Sequence, residues 1–123
     1  MIQTKYIIIL AVLIVILNSG KFTSHPITTP VDSNTAKKNI ENSNYDHVLD
    51  IRTTMEKSVG HLTIATHVSL EEVSTIENIV TDKNHKILVI SKNSERASLF
   101  AEYISKRGYK NVSYLNDHWT KLI

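Results

Sequence analysis

"ILVISKNSERAS" (Ile87–Ser98) is the stretch whose reading decides the fold. Ile87 to Ile90 are consecutive apolar residues, and with Lys86 they form "KILVI", apolar enough for a central strand covered on both faces. Ser91 ends the run, and Lys92 to Arg96 are all polar. A helix is expected from about Ser94 to Arg107, with Ala97, Phe100, Ala101 and Ile104 turned inward. Lys106 and Arg107 in its last turn complement the helix dipole, and Gly108 follows as the C′ residue. Strand, tight loop, helix is the arrangement that presents one side chain at the floor of a site.

The same alternation extends in both directions. "HVLDI" (47–51) and "ATHVS" (65–69) read as short strands, and "NVSYL" (111–115) as the last one, followed by a turn or helix carrying Trp119. Thr53-Thr54-Met55-Glu56 and Ser69-Leu70-Glu71-Glu72 both have the form of a helix capping box. The second opens a helix with Leu70, Val73, Ile76 and Ile79 or Val80 on one face, broken at Thr81–Asn84. Strands alternating with helices predict an α/β domain: a small, open, mainly parallel sheet flanked by helices.

The chain of 123 residues has room for one domain. From Tyr45 to Ile123 it carries ten Lys or Arg against ten Asp or Glu. The net charge of +2 therefore comes from Lys5, Lys21, Lys37 and Lys38 against Asp32 and Glu41. A neutral domain lacks the clustered cations that nucleic-acid binding requires, so no nucleic-acid partner is expected. There is no cysteine, which excludes disulfides, thiolate metal sites and cysteine nucleophiles. The six histidines, at 25, 47, 61, 67, 85 and 118, show no metal-ligand spacing, and neither a metal nor a cofactor is expected.

The first third differs from the rest. In "MIQTKYIIILAVLIVILNSG" (1–20), Lys5 supplies a weakly positive start, and Tyr6–Leu17 is an apolar run shorter than a membrane span. That is the layout of an export signal. No A-x-A cleavage pattern follows, so an uncleaved N-terminal anchor is the other reading. Residues 21–44 hold both prolines and many Ser, Thr and Asn, and read as a disordered linker. The domain is expected over 45–123. Export to the periplasm or cell envelope follows, with membrane contact only through the N-terminal segment.

In α/β sheets, ligands bind beyond the carboxyl ends of the strands. Backbone amides of a tight loop entering a helix N-terminus cradle anions, and Arg96 could add a fixed positive charge or pair with Asp50 or Glu95. The loop Ser91-Lys92-Asn93-Ser94-Glu95-Arg96 is thus a candidate anion site with a hydroxyl at its floor. Ser91 as a hydrolytic nucleophile would need a base, for which His61 and His67 are the candidates.

Two long pieces together resemble the rhodanese-like (sulfurtransferase) domain, in particular the short, exported, single-domain kind of the phage-shock type. The first is "VLDIRTTMEKSVGHLTIATHVSLEEV" (48–73), in which Asp50, Arg52, Glu56, Gly60, His61 and Ala65 fall on matching positions. The second is "KILVISKNSERASLFAEYISKRGYKNVSYL" (86–115). The resemblance implies structural roles for Asp50, Arg52, Gly60 and a hydrogen-bonding His61. It also implies that the loop begins at a catalytic cysteine, which carries sulfane sulfur as a persulfide stabilised by the loop amides.

Here Ser91 stands at that position. Thr63-Ile64 replaces the family's Pro-Gly, Asn116-Asp117 its Gly-Gly, and Ser94 the glycine of the loop. A hydroxyl cannot form the S–S bond, and no other cysteine can substitute. The expectation is a family member inactive in sulfur transfer that keeps a cradle for a small anion or a protein partner. A sulfurtransferase-family enzyme with altered, serine-based chemistry is the alternative.

Overall fold

The computed structural model describes residues 28–123; the apolar segment 1–20 and residues 21–27 lie outside the described residues. Five parallel strands form one sheet: β1 (Thr28–Val31), β2 (His47–Asp50), β3 (Thr66–His67), β4 (Lys86–Ile90) and β5 (Asn111–Leu115). Their spatial order is β1-β5-β4-β2-β3, and every adjacent pair is parallel. The α-helices are α1 (Ser33–Glu41), α2 (Thr54–Ser58), α3 (Ile76–Ile79) and α4 (Ser94–Lys106).

The central strand explains the layering. Ile87, Leu88, Val89 and Ile90 are all fully buried. Successive side chains of a strand point to opposite faces. Ile87 and Val89 accordingly join the core under α4, with Ala97, Ala101 and Ile104. Leu88 and Ile90 join the opposite core, with Ala36 of α1 and with Trp119 and Leu122 of a closing 3-10 turn (Trp119–Leu122). A strand covered on both faces reads as an unbroken apolar run.

α4 ends as its sequence requires. The Gly108 amide donates to the Ser105 carbonyl at 3.0 Å and the Tyr109 amide to the Ile104 carbonyl at 3.3 Å. This paired closure needs a left-handed C′ residue, and Gly108 has φ +102°. Tyr109 then tucks in, its buried hydroxyl donating to the Val80 carbonyl.

The helix expected from Ser69 onward is divided. Leu70–Thr75 is a 3-10 turn, and only Ile76–Ile79 is α-helical. Val73, Thr75, Ile76, Ile79 and Val80 are β-branched and weak in helices, so the segment takes its shape from packing. Ile76 and Val80 are buried, with Val73 and Ile79 packed against the same core. The side chain of Leu70 lies outside the described residues.

One expectation is corrected. The linker placed at 21–44 is structured from residue 28, and the described domain begins there rather than at 45. β1 pairs with β5 in the register Val31↔Leu115, and the Asn116 amide donates to the Val31 carbonyl at 2.9 Å. Pro30 is tolerated because β1 is an edge strand, with a partner on one side only among the described residues. Asp32 caps α1, its Oδ1 accepting from the Thr35 amide at 2.7 Å. Ala36 is fully buried, and Ile40, one turn on, packs against the same core. The polar surface of this short helix hid two apolar residues spaced i, i+4.

Asp32→Ala tests that boundary. Loss of an N-cap side chain destabilises the helix it opens, so urea unfolding should show a lower unfolding free energy. An unchanged unfolding free energy would return residues 28–44 to the status of a linker.

Candidate functional site

The site lies at the carboxyl ends of β2 and β4, which pair in the register Asp50↔Ile90. Asp50 and Arg52 therefore sit beside the loop that starts at Ser91. Both side chains are buried, at 1% exposure each, and form an ion pair of 2.8 Å. Arg52 Nε donates to Asp50 Oδ1 at 3.0 Å and Nη2 to Oδ2 at 2.8 Å. Asp50 Oδ1 also accepts from the Arg52 amide at 3.0 Å. The remaining reach of the guanidinium goes to two carbonyls, Nη1 to Glu56 at 3.2 Å and Nη2 to Gly60 at 2.7 Å. Its flat face lies 3.9 Å from the centre of the Trp119 ring. Such a pair is tolerated in the interior only when its spare donors are satisfied, and removing one partner costs about 3–5 kcal/mol.

Gly60 is specified by this arrangement. Its φ is +149°, and a Cβ there would stand 3.3 Å from Trp119 Cη2. A larger residue would push the carbonyl off Arg52 or the indole off the guanidinium. His67, on β3, closes the hub by donating from Nε2 to the Arg52 carbonyl at 2.7 Å. The hydrogen-bonding histidine of this region is thus His67. His61, expected in that part, is exposed and its ring makes no hydrogen bond with the described residues. The chain turns outward at Gly60, which carries the next side chain into solvent.

Glu56 links the hub to the loop. It completes a capping box on α2: Thr53 Oγ1 accepts from the Glu56 amide at 3.1 Å, and Glu56 Oε1 accepts from the Thr53 amide at 3.0 Å. The same carboxylate takes both terminal nitrogens of Arg96, each at 3.1 Å, with Lys92 Nζ 3.9 Å away. The bidentate Arg96 contact, then the Thr53 amide, hold the Glu56 carboxyl down to about 2 from its ordinary 4.5. Arg96 therefore pairs with Glu56, and not with Asp50 or Glu95. The sequence marks Glu56 as a cap; its second role depends on a contact forty residues away.

Asn93 sits before α4 with its Oδ1 accepting from the Arg96 amide at 2.8 Å. The Arg96 amide is thus withdrawn from the expected cradle. The amides of Lys92, Asn93, Ser94 and Glu95 have no acceptor among the described residues. The Ser91 carbonyl accepts from the Trp119 amide at 3.2 Å. Ser91 is fully buried, and its Oγ has no hydrogen-bond partner among the described residues. A buried unsatisfied hydroxyl costs about 1–3 kcal/mol. Among the described residues no imidazole hydrogen-bonds it.

The sequence matches the rhodanese-like domain over residues 32–123. Solved structures share the fold. A Staphylococcus saprophyticus protein is 18% identical with a TM-score of 0.67, covering 77% of this chain and 93% of its own. The rhodanese-like domain of an Anabaena protein is 20% identical with a TM-score of 0.67, covering 78% of this chain and 74% of its own. A rhodanese-like domain protein of Staphylococcus aureus is 18% identical with a TM-score of 0.62, covering 77% and 91%. At such identities the likeness speaks for the fold. No curated protein matches the chain.

The Glu56 clamp has a pH signature. A carboxyl lowered on folding stabilises the protein above its unfolded value, and that contribution fades as pH falls through the folded one. The unfolding free energy of the native protein should exceed that of Glu56→Gln by its full margin above pH 4.5, shrinking toward pH 2. Urea denaturation across that range measures it. A difference that does not change with pH would contradict the clamp.

Proposed function

The chain belongs to the rhodanese-like domain family, and on that premise we propose that it is an exported, non-catalytic member whose loop receives a small anion, free or carried by a protein partner. The observation that carries this reading is Ser91, buried at the head of the loop with no cysteine anywhere in the chain. Persulfide chemistry needs a sulfur nucleophile that ionises near neutral pH, and a serine hydroxyl neither ionises there nor bonds to sulfane sulfur. Serine-based hydrolysis is disfavoured by the unpartnered Oγ.

Four amides with no acceptor among the described residues, leading into the start of a thirteen-residue helix, support the anion. Backbone amides there favour negative charge through hydrogen bonds and the helix dipole. The site's own charges nearly cancel, since Lys92 and Arg96 face Glu56, with Glu95 in the first turn. Binding by this cradle is therefore weak for a free anion. A partner segment could add apolar contact: α2, held against the loop by Glu56, exposes Met55 and Val59 at 82% and 85%. These lie one turn apart. Export is supported by the apolar run Tyr6–Leu17.

Titration of the full chain with sulfate or thiosulfate, followed by amide NMR, tests the cradle. Saturable shifts confined to Lys92–Glu95, reduced by high salt, are expected. Shifts spread over surface lysines, or none at the loop, would remove the anion from this reading.

A further inference from the structure

At the opposite end of the sheet from Ser91, two histidines meet. His47 opens β2, and His85 immediately precedes β4. His47 Nε2 and His85 Nδ1 stand 3.1 Å apart, with ring centroids at 5.2 Å and planes tilted by 36°. Two imidazole nitrogens at that distance share a proton or share an ion. Nitrogens bound to one tetrahedral zinc at about 2.0–2.1 Å stand roughly 3.3–3.4 Å apart, so the observed spacing lies within a few tenths of an ångström of that geometry, and each ring has only to turn its lone pair toward the shared ion.

The backbone under both rings is fixed. β2 and β4 pair in the register His47↔Ile87, and the Asp46 amide donates to the Lys86 carbonyl at 2.8 Å. Asp46 Oδ2 returns a bond from the Lys86 amide at 2.8 Å. Asp82 orders the turn before β4, its Oδ1 accepting from the Asn84 amide at 2.8 Å. Its Oδ2 lies 3.5 Å from His85 Nε2, the nitrogen facing away from His47. A carboxylate on the far side of the ring is the place an outer-shell partner takes around metal-binding imidazoles. The His85 side chain is 42% exposed, so the pair is open to solvent.

We infer that His47 and His85 form a surface site for a borderline divalent transition-metal ion, of the zinc, copper or nickel class that imidazole favours. Among the described residues no third His, Cys, Asp or Glu completes a cluster. Water fills the remaining positions, and the site is one of exchangeable binding. It stands apart from the loop of Ser91 and does not depend on that loop's function.

Zinc alone is the probe. Calorimetry on the full chain near neutral pH should show one saturable site. The ring proton resonances of His47 and His85 should move together, with those of His61 and His118 unmoved. His47→Gln and His85→Gln should each weaken binding by at least about tenfold, the effect that loss of even an outer-shell partner produces. His85 lies in an exposed turn, so His85→Gln keeps the test open if His47→Gln fails to fold. No saturable binding, or binding unaffected by His85→Gln, overturns the site.

Discussion

The ion pair of Asp50 and Arg52 is the interaction on which the site depends. The donors of one guanidinium reach three different parts of the chain, and an aromatic ring covers it. The Asp50 carboxylate fixes it at the end of β2. The carbonyls of Glu56 and Gly60 tie down both ends of the segment around α2. The Trp119 ring covers its face and brings the C-terminal turn into the same packing. An ammonium could neither stack flat on the indole nor bridge carboxylate and carbonyls in one plane, so Lys at 52 is not a conservative replacement.

The loop of Ser91 is held by this hub from two directions. Glu56 gives its carbonyl to Arg52 and its carboxylate to Arg96, at the helical end of the loop. Trp119 gives its face to Arg52 and its amide to the Ser91 carbonyl, at the strand end. The shape of the loop is therefore set by residues other than the one at its head. The hydroxyl at its head has no partner among the described residues. A thiol, which behaves as a small apolar group when buried, would occupy the same place without that penalty.

The sequence disclosed what short-range physics controls. The unbroken apolar run of Lys86–Ile90, the inward face of α4, its Gly108 closure and the Thr53–Glu56 box all follow from neighbours in the chain, and all are present. What it hid depends on partners far away. The Thr28–Val31 strand gains its identity from β5, some eighty residues later. Arg96 could not be matched to Glu56, nor His47 to His85, before the strands were placed side by side. The choice of His67 over His61 as the bonding histidine turned on which ring reaches the Arg52 carbonyl. That is settled by the β2–β3 pairing.

The proposal of a non-catalytic member rests on Ser91 standing where the family has its cysteine. Ser91→Cys tests it most directly, through sulfur transfer from thiosulfate to cyanide by the full chain. Measurable turnover is expected in the variant, with a persulfide visible as one added sulfur by mass, and none in the native protein. A folded Ser91→Cys protein that takes no sulfur, or a native protein that transfers it, would refute the proposal.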